Sequence, residues 1–169
     1  MAISFSTEMF GQTDTLIIKA GQSIDDFLVP TSSKRDARNF KNQKFQKTSG
    51  AGIACGTYGS RRFRSTAYKN ETLGLTFEFK TSRAPWPFQI FHKKRLDKIT
   101  ITKKAKTVDG LIIGKSSRQN VISIYGLLPD WKNESYLSYT DKGIAFRFND
   151  SGTITSIELF APYEDKSIF

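Results

Sequence analysis

Two side chains of this sequence, Cys55 and His92, have the chemistry for nucleophilic catalysis. A thiolate activated by an imidazole base can attack a carbonyl group. The chain holds one cysteine and one histidine, so a zinc site built from several Cys and His ligands is excluded. Cys55 also follows a run of mostly small residues, 50–54, and a free cysteine in such a run is usually a packing residue. We therefore expect a protein that is not an enzyme, with no catalytic residues, no metal and no cofactor.

Two other features look like sites and have simpler explanations. The glycines at 50, 52, 56 and 59 lack the Gly-Lys-[Ser/Thr] sequence that completes a phosphate-binding loop. Asp25 and Asp26 fall in the first turn of a predicted helix, where carboxylates interact favourably with the helix dipole. Neither feature predicts catalysis.

Cations and aromatic rings are mixed in two stretches, residues 31–65 and 81–95. Such a mixture suits nucleic acid, because cations neutralise phosphates and rings stack on bases. It equally suits a protein interface, where Arg, Tyr and Trp contribute most binding energy. The residues predicted to bind a partner are Arg35, Arg38, Phe40, Lys44, Phe45, Tyr58, Arg61, Arg62, Phe63, Arg64, Trp86, Phe88, Phe91, His92, Lys93, Lys94 and Arg95.

The net charge of +10 is unevenly distributed. Residues 31–65 contain nine Lys or Arg and one acid, and residues 80–106 contain the same numbers, whereas residues 107–169 carry a net charge of −2. This asymmetry predicts a basic face for an acidic partner. No stretch approaches the roughly 18 apolar residues that span a membrane, so no membrane partner is expected. The N-terminus lacks the pattern of a secretory signal, and we expect a cytoplasmic protein.

Three segments recur in the same order along the chain. The matching pairs are 16–18 with 111–113, 74–79 with 143–148, and 96–101 with 154–159. The second pair shares the pattern Gly-[Leu/Ile]-x-Phe-x-Phe, whose alternation predicts a strand with one apolar face. Recurrence at this scale is typical of a duplicated structural unit.

Each unit is predicted to contain a strand, a helix and a three-stranded antiparallel meander. The meander strands are expected at 66–68, 75–79 and 99–101 in the first unit and at 136–139, 144–148 and 154–159 in the second. Helices are expected after Ser23, ending before Pro30, and after Ser116, ending at Gly126, because a serine can cap the first turn. The predicted fold is α+β, with two tandem strand–helix–meander modules forming one compact body. The first module would span 1–106 and the second 107–169.

The first module differs from the second by two predicted insertions, which are the basic stretches 31–65 and 81–95. Long surface loops cost little stability, so insertions are easily tolerated. A repeat that keeps its core and enlarges its loops often carries its function in those loops. We therefore place the predicted binding surface on the first module. Phe88 and Ile90 could instead alternate inward as an extra strand.

The second module resembles a known family. Residues 109–126 (DGLIIGKSSRQNVISIYG) and 136–160 (YLSYTDKGIAFRFNDSGTITSIELF) are similar to small bacterial modules with Gly-x-Ser, a helix, Tyr-Gly and a Gly-[Leu/Ile]-x-Phe strand. Such modules occur in the outer-membrane-assembly lipoprotein E type and, in tandem, in the beta-lactamase inhibitory protein type. The chain departs from them by lacking the inhibitor's disulfides and a lipoprotein cysteine near its start.

This resemblance implies a rigid, non-enzymatic module that binds another protein, as in bacterial toxin-immunity proteins. The first hypothesis is therefore an immunity protein or inhibitor that blocks the active site of a secreted toxin through the basic stretches. The alternative is a nucleic-acid-binding protein that uses the same basic, aromatic residues.

Overall fold

The computed structural model describes residues 15–56, 59–82, 95–128 and 135–162, with the backbone alone for 52–56, 59–63 and Ser82. These residues form eleven strands and two α-helices. The strands are β1 (Leu16–Lys19), β2 (Ser23–Ile24), β3 (Phe27–Leu28), β4 (Gln46–Gly56), β5 (Gly59–Asn70), β6 (Leu75–Ser82), β7 (Arg95–Ile101), β8 (Ala105–Thr107), β9 (Tyr136–Tyr139), β10 (Ile144–Phe148) and β11 (Ile154–Leu159). The helices are α1 (Lys34–Asn39) and α2 (Arg118–Tyr125).

Seven strands form one antiparallel sheet in the order β4-β5-β6-β7-β11-β10-β9. Two meanders, β5-β6-β7 and β9-β10-β11, meet in this sheet through their last strands. Ile99 pairs with Leu159 and Ile101 with Ile157 across that central junction. On both sides of the junction, the last strand of a meander is followed outward by its middle strand and then by its first strand. The additional edge strand β4 lies next to β5 on one side.

One face of the large sheet carries the core. Along β6, Leu75, Phe77 and Phe79 are buried while Thr76 and Glu78 between them are only partly covered. The same alternation places Ile144, Phe146 and Phe148 of β10 on the buried face, since successive side chains of a strand point to opposite sides. The opposite face of the sheet therefore holds the polar residues of each strand.

A second layer covers the core face. It consists of the small sheet β3-β2-β1-β8, in which β1 and β8 are parallel, and of the two helices. Phe27 of β3 lies 4.6 Å from Phe77 between ring centroids, and Phe40, which follows α1, lies 5.6 Å from the same ring. In the other meander Tyr125, at the end of α2, lies 5.4 Å from Phe146. Aromatic contacts thus connect both layers at matching positions of the two meanders.

The predicted α+β fold of two strand–helix–meander modules is wrong, because the described chain is mostly β-structure with two short helices. The helix predicted after Ser23 is absent: residues 23–24 and 27–28 are the strands β2 and β3 of a tight hairpin. Asp25 adopts φ +45° in its turn and its side chain accepts a hydrogen bond from the Ile17 amide at 2.7 Å. The apolar spacing of these five residues is compatible with a helix or with a hairpin. The turn conformation of Asp25 favours the hairpin.

The helix predicted in the second half is present as α2, and it ends at Gly126 as expected. Its N-cap is Ser117 rather than Ser116: the Ser117 hydroxyl accepts from the Asn120 amide while the Asn120 side chain accepts from the Ser117 amide. The proposed match of residues 111–113 with strand β1 is wrong, since that segment contributes one isolated bridge, Lys106 with Ile112.

The stretch 31–65 is not an inserted loop. It contains α1, a 3₁₀ turn at Phe40–Asn42, all of β4 and half of β5. The six predicted meander strands are confirmed as parts of β5, β6, β7, β9, β10 and β11. Strands from both sides of residue 106 share one sheet. The division into a first module, 1–106, and a second module, 107–169, stays a prediction.

The shared glycine of the repeat has a defined structural role. Gly74 and Gly143 both adopt φ +66° immediately before β6 and β10. A Cβ atom at Gly143 would collide with the Phe160 carbonyl oxygen and lie 2.7 Å from the Gly21 Cα. The turn before β10 therefore requires glycine for both its conformation and its close backbone contact.

We predict that Gly143→Ala destabilises the protein more than Gly152→Ala. Both glycines have positive φ, but a Cβ at Gly152 would meet nothing within 4 Å. Gly152→Ala should therefore cost only the conformational strain, about 1 kcal/mol, and Gly143→Ala that amount plus the cost of moving backbone. Urea denaturation of both variants gives the comparison. Equal losses in the two variants would contradict the role assigned to the Gly143 contact.

Candidate protein-binding surface

The two longest strands of the described chain, β4 and β5, form a hairpin. Its register runs unbroken from Gln46 opposite Lys69 to Gly56 opposite Gly59. Residues 63–70 of β5 also pair with β6, as far as Ser82, where the described part of β6 ends. Residues 46–51 are exposed on both faces of β4.

The charge of this region is uniformly positive. Between Asp36 and Glu71 the sequence contains eight Lys or Arg residues and no Asp or Glu. Lys44, Lys47 and Arg64 are exposed, as are Arg35 and Arg38 of the neighbouring helix α1. We call residues 44–70 the basic hairpin. It gives an extended cationic surface attached to a packed body, which favours an acidic partner.

Helix α1 and the turn after it lead into the basic hairpin. The Ser33 hydroxyl accepts from the Asp36 amide, and the Asp36 carboxylate accepts from the Ser33 amide at 2.6 Å. The Ser33 backbone hydrogen bond lowers the pKa of Asp36, with smaller help from the Ser33 hydroxyl. Lys41 then reaches back to Asp25 of the small sheet, with 2.7 Å between its ammonium nitrogen and a carboxylate oxygen. Asn70 fixes the base of the hairpin by donating to the Lys44 carbonyl at 2.8 Å.

The structure separates the predicted binding residues into three groups. Arg35, Arg38, Lys44, Arg64 and Arg95 are exposed. Phe40 is 7% exposed and belongs to the core, and Phe45 is half-buried with its ring 5.4 Å from that of Phe77. The third group lies outside the described side chains and consists of Tyr58, Arg61, Arg62, Phe63, Trp86, Phe88, Phe91, His92, Lys93 and Lys94.

A second charged cluster lies on the polar face of the large sheet, centred on Glu158 of β11. Its side chain is 6% exposed. The Arg147 Nε donates to the Glu158 carboxylate at 3.1 Å, the Lys98 ammonium lies 3.4 Å from the same oxygen, and the Tyr136 hydroxyl donates at 3.3 Å. The Arg147 guanidinium also covers the Tyr136 ring at 4.7 Å. These contacts tie β7, β11, β10 and β9 together.

Sequence reasoning missed this Glu158 cluster. Its members lie far apart in the chain, and each looks like an ordinary outward-facing residue of its own strand. The cluster could be recognised only once the order of the strands in the sheet was known, because it requires β7 to lie beside β11. Burial, and secondly the charge of Glu158, raise the pKa of Tyr136, so the hydroxyl stays a hydrogen-bond donor at neutral pH. The cluster is best explained as a set of contacts that holds the strands of the sheet together.

A third polar group connects α2 to the sheet. The Tyr125 hydroxyl donates to Asp109 at 2.8 Å, and the Tyr139 hydroxyl donates to the Gly126 carbonyl at 2.8 Å. Burial raises the pKa of Tyr125, and the hydrogen bond to Asp109 raises it further. Burial also raises the pKa of Tyr139. Both phenols therefore act as donors that hold the end of α2 against β9.

Within residues 15–56, 59–82, 95–128 and 135–162, no group of three or more His, Cys, Asp or Glu side chains is placed to hold a metal ion. No helix in these ranges is long and apolar enough to cross a membrane. Comparison with protein-family models, with curated proteins and with solved structures finds no match for this chain.

We predict that Glu158→Gln destabilises the protein by about 1–2 kcal/mol, because Lys98 and Arg147 lose their shared, largely buried counter-charge. Glu71→Gln is the matched control: Glu71 pairs with Lys69 at 2.9 Å, but its side chain is 76% exposed, and such exposed pairs contribute little. Denaturant titration of both variants tests the prediction. A loss at Glu158 no larger than that at Glu71 would refute it.

The raised pKa values of the tyrosines predict a loss of stability at alkaline pH. A raised pKa in the folded state means that the phenol gives up its proton more easily in the unfolded chain. The stabilisation is complete below the unfolded value of about 10 and is lost as the pH rises above it. We expect the free energy of unfolding to fall above about pH 10, and to fall less steeply in Tyr125→Phe. Denaturation curves measured across that range test this, and an unchanged slope in Tyr125→Phe would exclude Tyr125 as a contributor.

Proposed function

We propose that this protein is a non-enzymatic binding protein, an immunity protein or inhibitor that neutralises a secreted bacterial toxin by blocking its active site. The observation that carries the proposal is the basic hairpin: its residues Lys44, Lys47 and Arg64 are exposed, and the sequence holds no acid between Asp36 and Glu71. We further propose that it binds an acidic surface of the toxin in the cytoplasm. A chain with a single cysteine forms no internal disulfide and does not need an oxidising compartment to fold.

The packing of the aromatic residues favours a protein over a nucleic acid as the partner. Non-specific binding of single-stranded nucleic acid combines cations with rings on which bases stack. Among the described side chains of residues 37–70, the rings are Phe40, Phe45 and Tyr68, and all three are buried or half-buried against the core. The cations remain at the surface without these rings beside them. This arrangement supports recognition of a charged protein surface.

The attachment of the hairpin also supports the proposal. β5 forms its outer pairing with β4 and its inner pairing with β6, whose residues Phe77 and Phe79 are completely buried. A binding element that continues the strands of a packed sheet is ordered before it meets its partner. Less conformational entropy is then lost on association than with a flexible loop. Inhibitors that bind tightly are commonly preorganised in this way.

Nucleic-acid binding is the second candidate, because eight cations in 34 residues would also attract phosphates. The two candidates differ in their salt dependence. Binding through six or more phosphate contacts should weaken roughly a thousandfold between 50 and 200 mM salt. A gel-shift titration with single-stranded and duplex DNA and RNA at both salt concentrations separates them. Steep, tight binding there would favour the second candidate over the first.

We predict that reversing three charges of the basic hairpin, Lys44→Glu, Lys47→Glu and Arg64→Glu together, weakens binding to the cognate toxin at least about tenfold by introducing repulsion across the interface. The measurement is a calorimetric titration against the protein encoded by the neighbouring gene, accompanied by growth of cells that express both.

The matched control carries the same charge change at exposed lysines outside the basic hairpin, Lys104→Glu, Lys106→Glu and Lys115→Glu. It separates a local contact from a general effect of net charge, and we expect it to bind within about threefold of the original protein. Equal weakening by both triple variants, or undiminished binding by the hairpin variant, would refute the proposed binding surface.

A further inference from the structure

From residue 48 onward, the outer edge of the large sheet at β4 lacks, among the described residues, the features that usually prevent strand pairing. Edge strands in natural proteins are commonly short, bulged, interrupted by proline or occupied by inward-pointing charge. β4 has eleven residues and an unbroken register against β5. Its residues 48–56, TSGAGIACG, contain neither a charged residue nor a proline. The ladders of β6 with β7 and of β10 with β11, by contrast, each contain a register shift.

The opposite edge of the same sheet is protected. Strand β9 has only four residues and is followed directly by a 3₁₀ turn at Thr140–Lys142. Tyr139 and Leu137 of β9 are fully covered by the core. A short edge offers few backbone groups to another strand. The edge at β9 is thus protected because the strand is short, whereas the edge at β4 is a long strand with regular pairing.

The side chains of β4 leave its backbone within reach of a partner. Thr48, Ser49, Gly50 and Ala51 are small and exposed, on both faces of the strand. In an antiparallel ladder every second residue directs its N–H and C=O away from its neighbour strand. About five residues of β4 therefore direct their backbone groups outward along the edge. An extended segment could pair with these groups while its side chains contact both faces of the hairpin.

The charge of the basic hairpin decides what kind of strand pairs there. A second copy of this chain would bring the cations of its own basic hairpin to the same edge, and like charges on neighbouring strands repel. An acidic strand meets no such opposition. We propose that β4 accepts an extended, acidic segment of the partner protein as an additional edge strand, an inference that rests on the proposed function and specifies its mode of binding.

The first test uses a defined probe rather than the unidentified partner. The probe is an acetylated and amidated ten-residue peptide in which glutamate alternates with valine or threonine. One control peptide has lysine in place of every glutamate, and another has the same composition as the probe with one central residue replaced by proline. Hydrogen exchange of the full chain is followed by NMR with each peptide present.

We expect the glutamate peptide to protect every second amide of residues 48–54, namely those that exchange rapidly in the free protein. At a peptide concentration of nine times Kd their exchange should slow about tenfold. The lysine peptide should give no protection, and the proline peptide should bind clearly more weakly. Shifts of lysine and arginine side-chain signals without alternating amide protection, or equal binding of the proline peptide, would mean electrostatic adsorption only and would overturn the proposal.

The second test uses Thr48→Pro and Ser49→Pro. Adjacent amides of a strand point in opposite directions, so one of these substitutions removes an outward N–H and the other removes an N–H bonded to β5. The variant that loses the outward N–H should keep its fold, as judged by circular dichroism, and bind both the peptide and the toxin at least about tenfold more weakly. Lys47→Ala in the original protein keeps every amide and should weaken binding less.

The two proposals fail in different ways. If the charge-reversed hairpin loses toxin binding while a folded proline variant binds toxin as the original protein does, the strand-pairing proposal is wrong and the basic hairpin remains the binding surface. If the charge-reversed hairpin binds toxin undiminished, the proposed function itself is wrong. The amide protection pattern in the peptide experiment decides the pairing mode independently of the toxin.

Discussion

The antiparallel pairing of β7 with β11 is the contact on which the rest of the structure depends. It joins two three-stranded meanders, each with one apolar face, into a single sheet with one continuous buried side. Only when the meanders are joined do Phe77 and Phe146 belong to one core, which the small sheet and both helices then cover. The same junction brings Lys98 beside Glu158 on the polar side of the sheet. A meander alone would bury too little surface to be stable.

Periodicity predicted the parts of this structure in which alternation is strong. The patterns around Phe77 and Phe146 identified β6 and β10, and Gly126 identified the end of α2. The prediction failed where other constraints decide. Residues 23–28 form a hairpin because Asp25 adopts a left-handed turn, and β4 was missed because its small and polar residues show no apolar alternation. Residues 46–51 of this edge strand are exposed on both faces, so they have no burial pattern for the sequence to reveal.

The location of the proposed binding surface could be predicted only in part. Charge alone indicated the region between Asp36 and Glu71, and the exposed positions of Lys44 and Arg64 fit that expectation. Residue type could not separate exposed from buried aromatics, so Phe40 was assigned to a partner although it lies between Phe27 and Phe77. Lys47 and Arg64 lie on regular strands rather than on loops, which changes the expected recognition from adaptable contacts to a fixed surface.

The parallel pairing of β1 with β8 has a consequence for synthesis of the protein. Leu16 is paired with Ala105 and Ile18 with Thr107, so the first described strand of the chain waits for a strand encoded much later. During translation the β1–β2 hairpin leaves the ribosome with one edge unpaired and with Ile18 and Ile24 exposed to solvent. Pairing of β1 with β8 brings together the two ends of the long segment between them, which is slow compared with hairpin formation. The unpaired edge of β1 is therefore open to incorrect strand pairing until β8 has emerged.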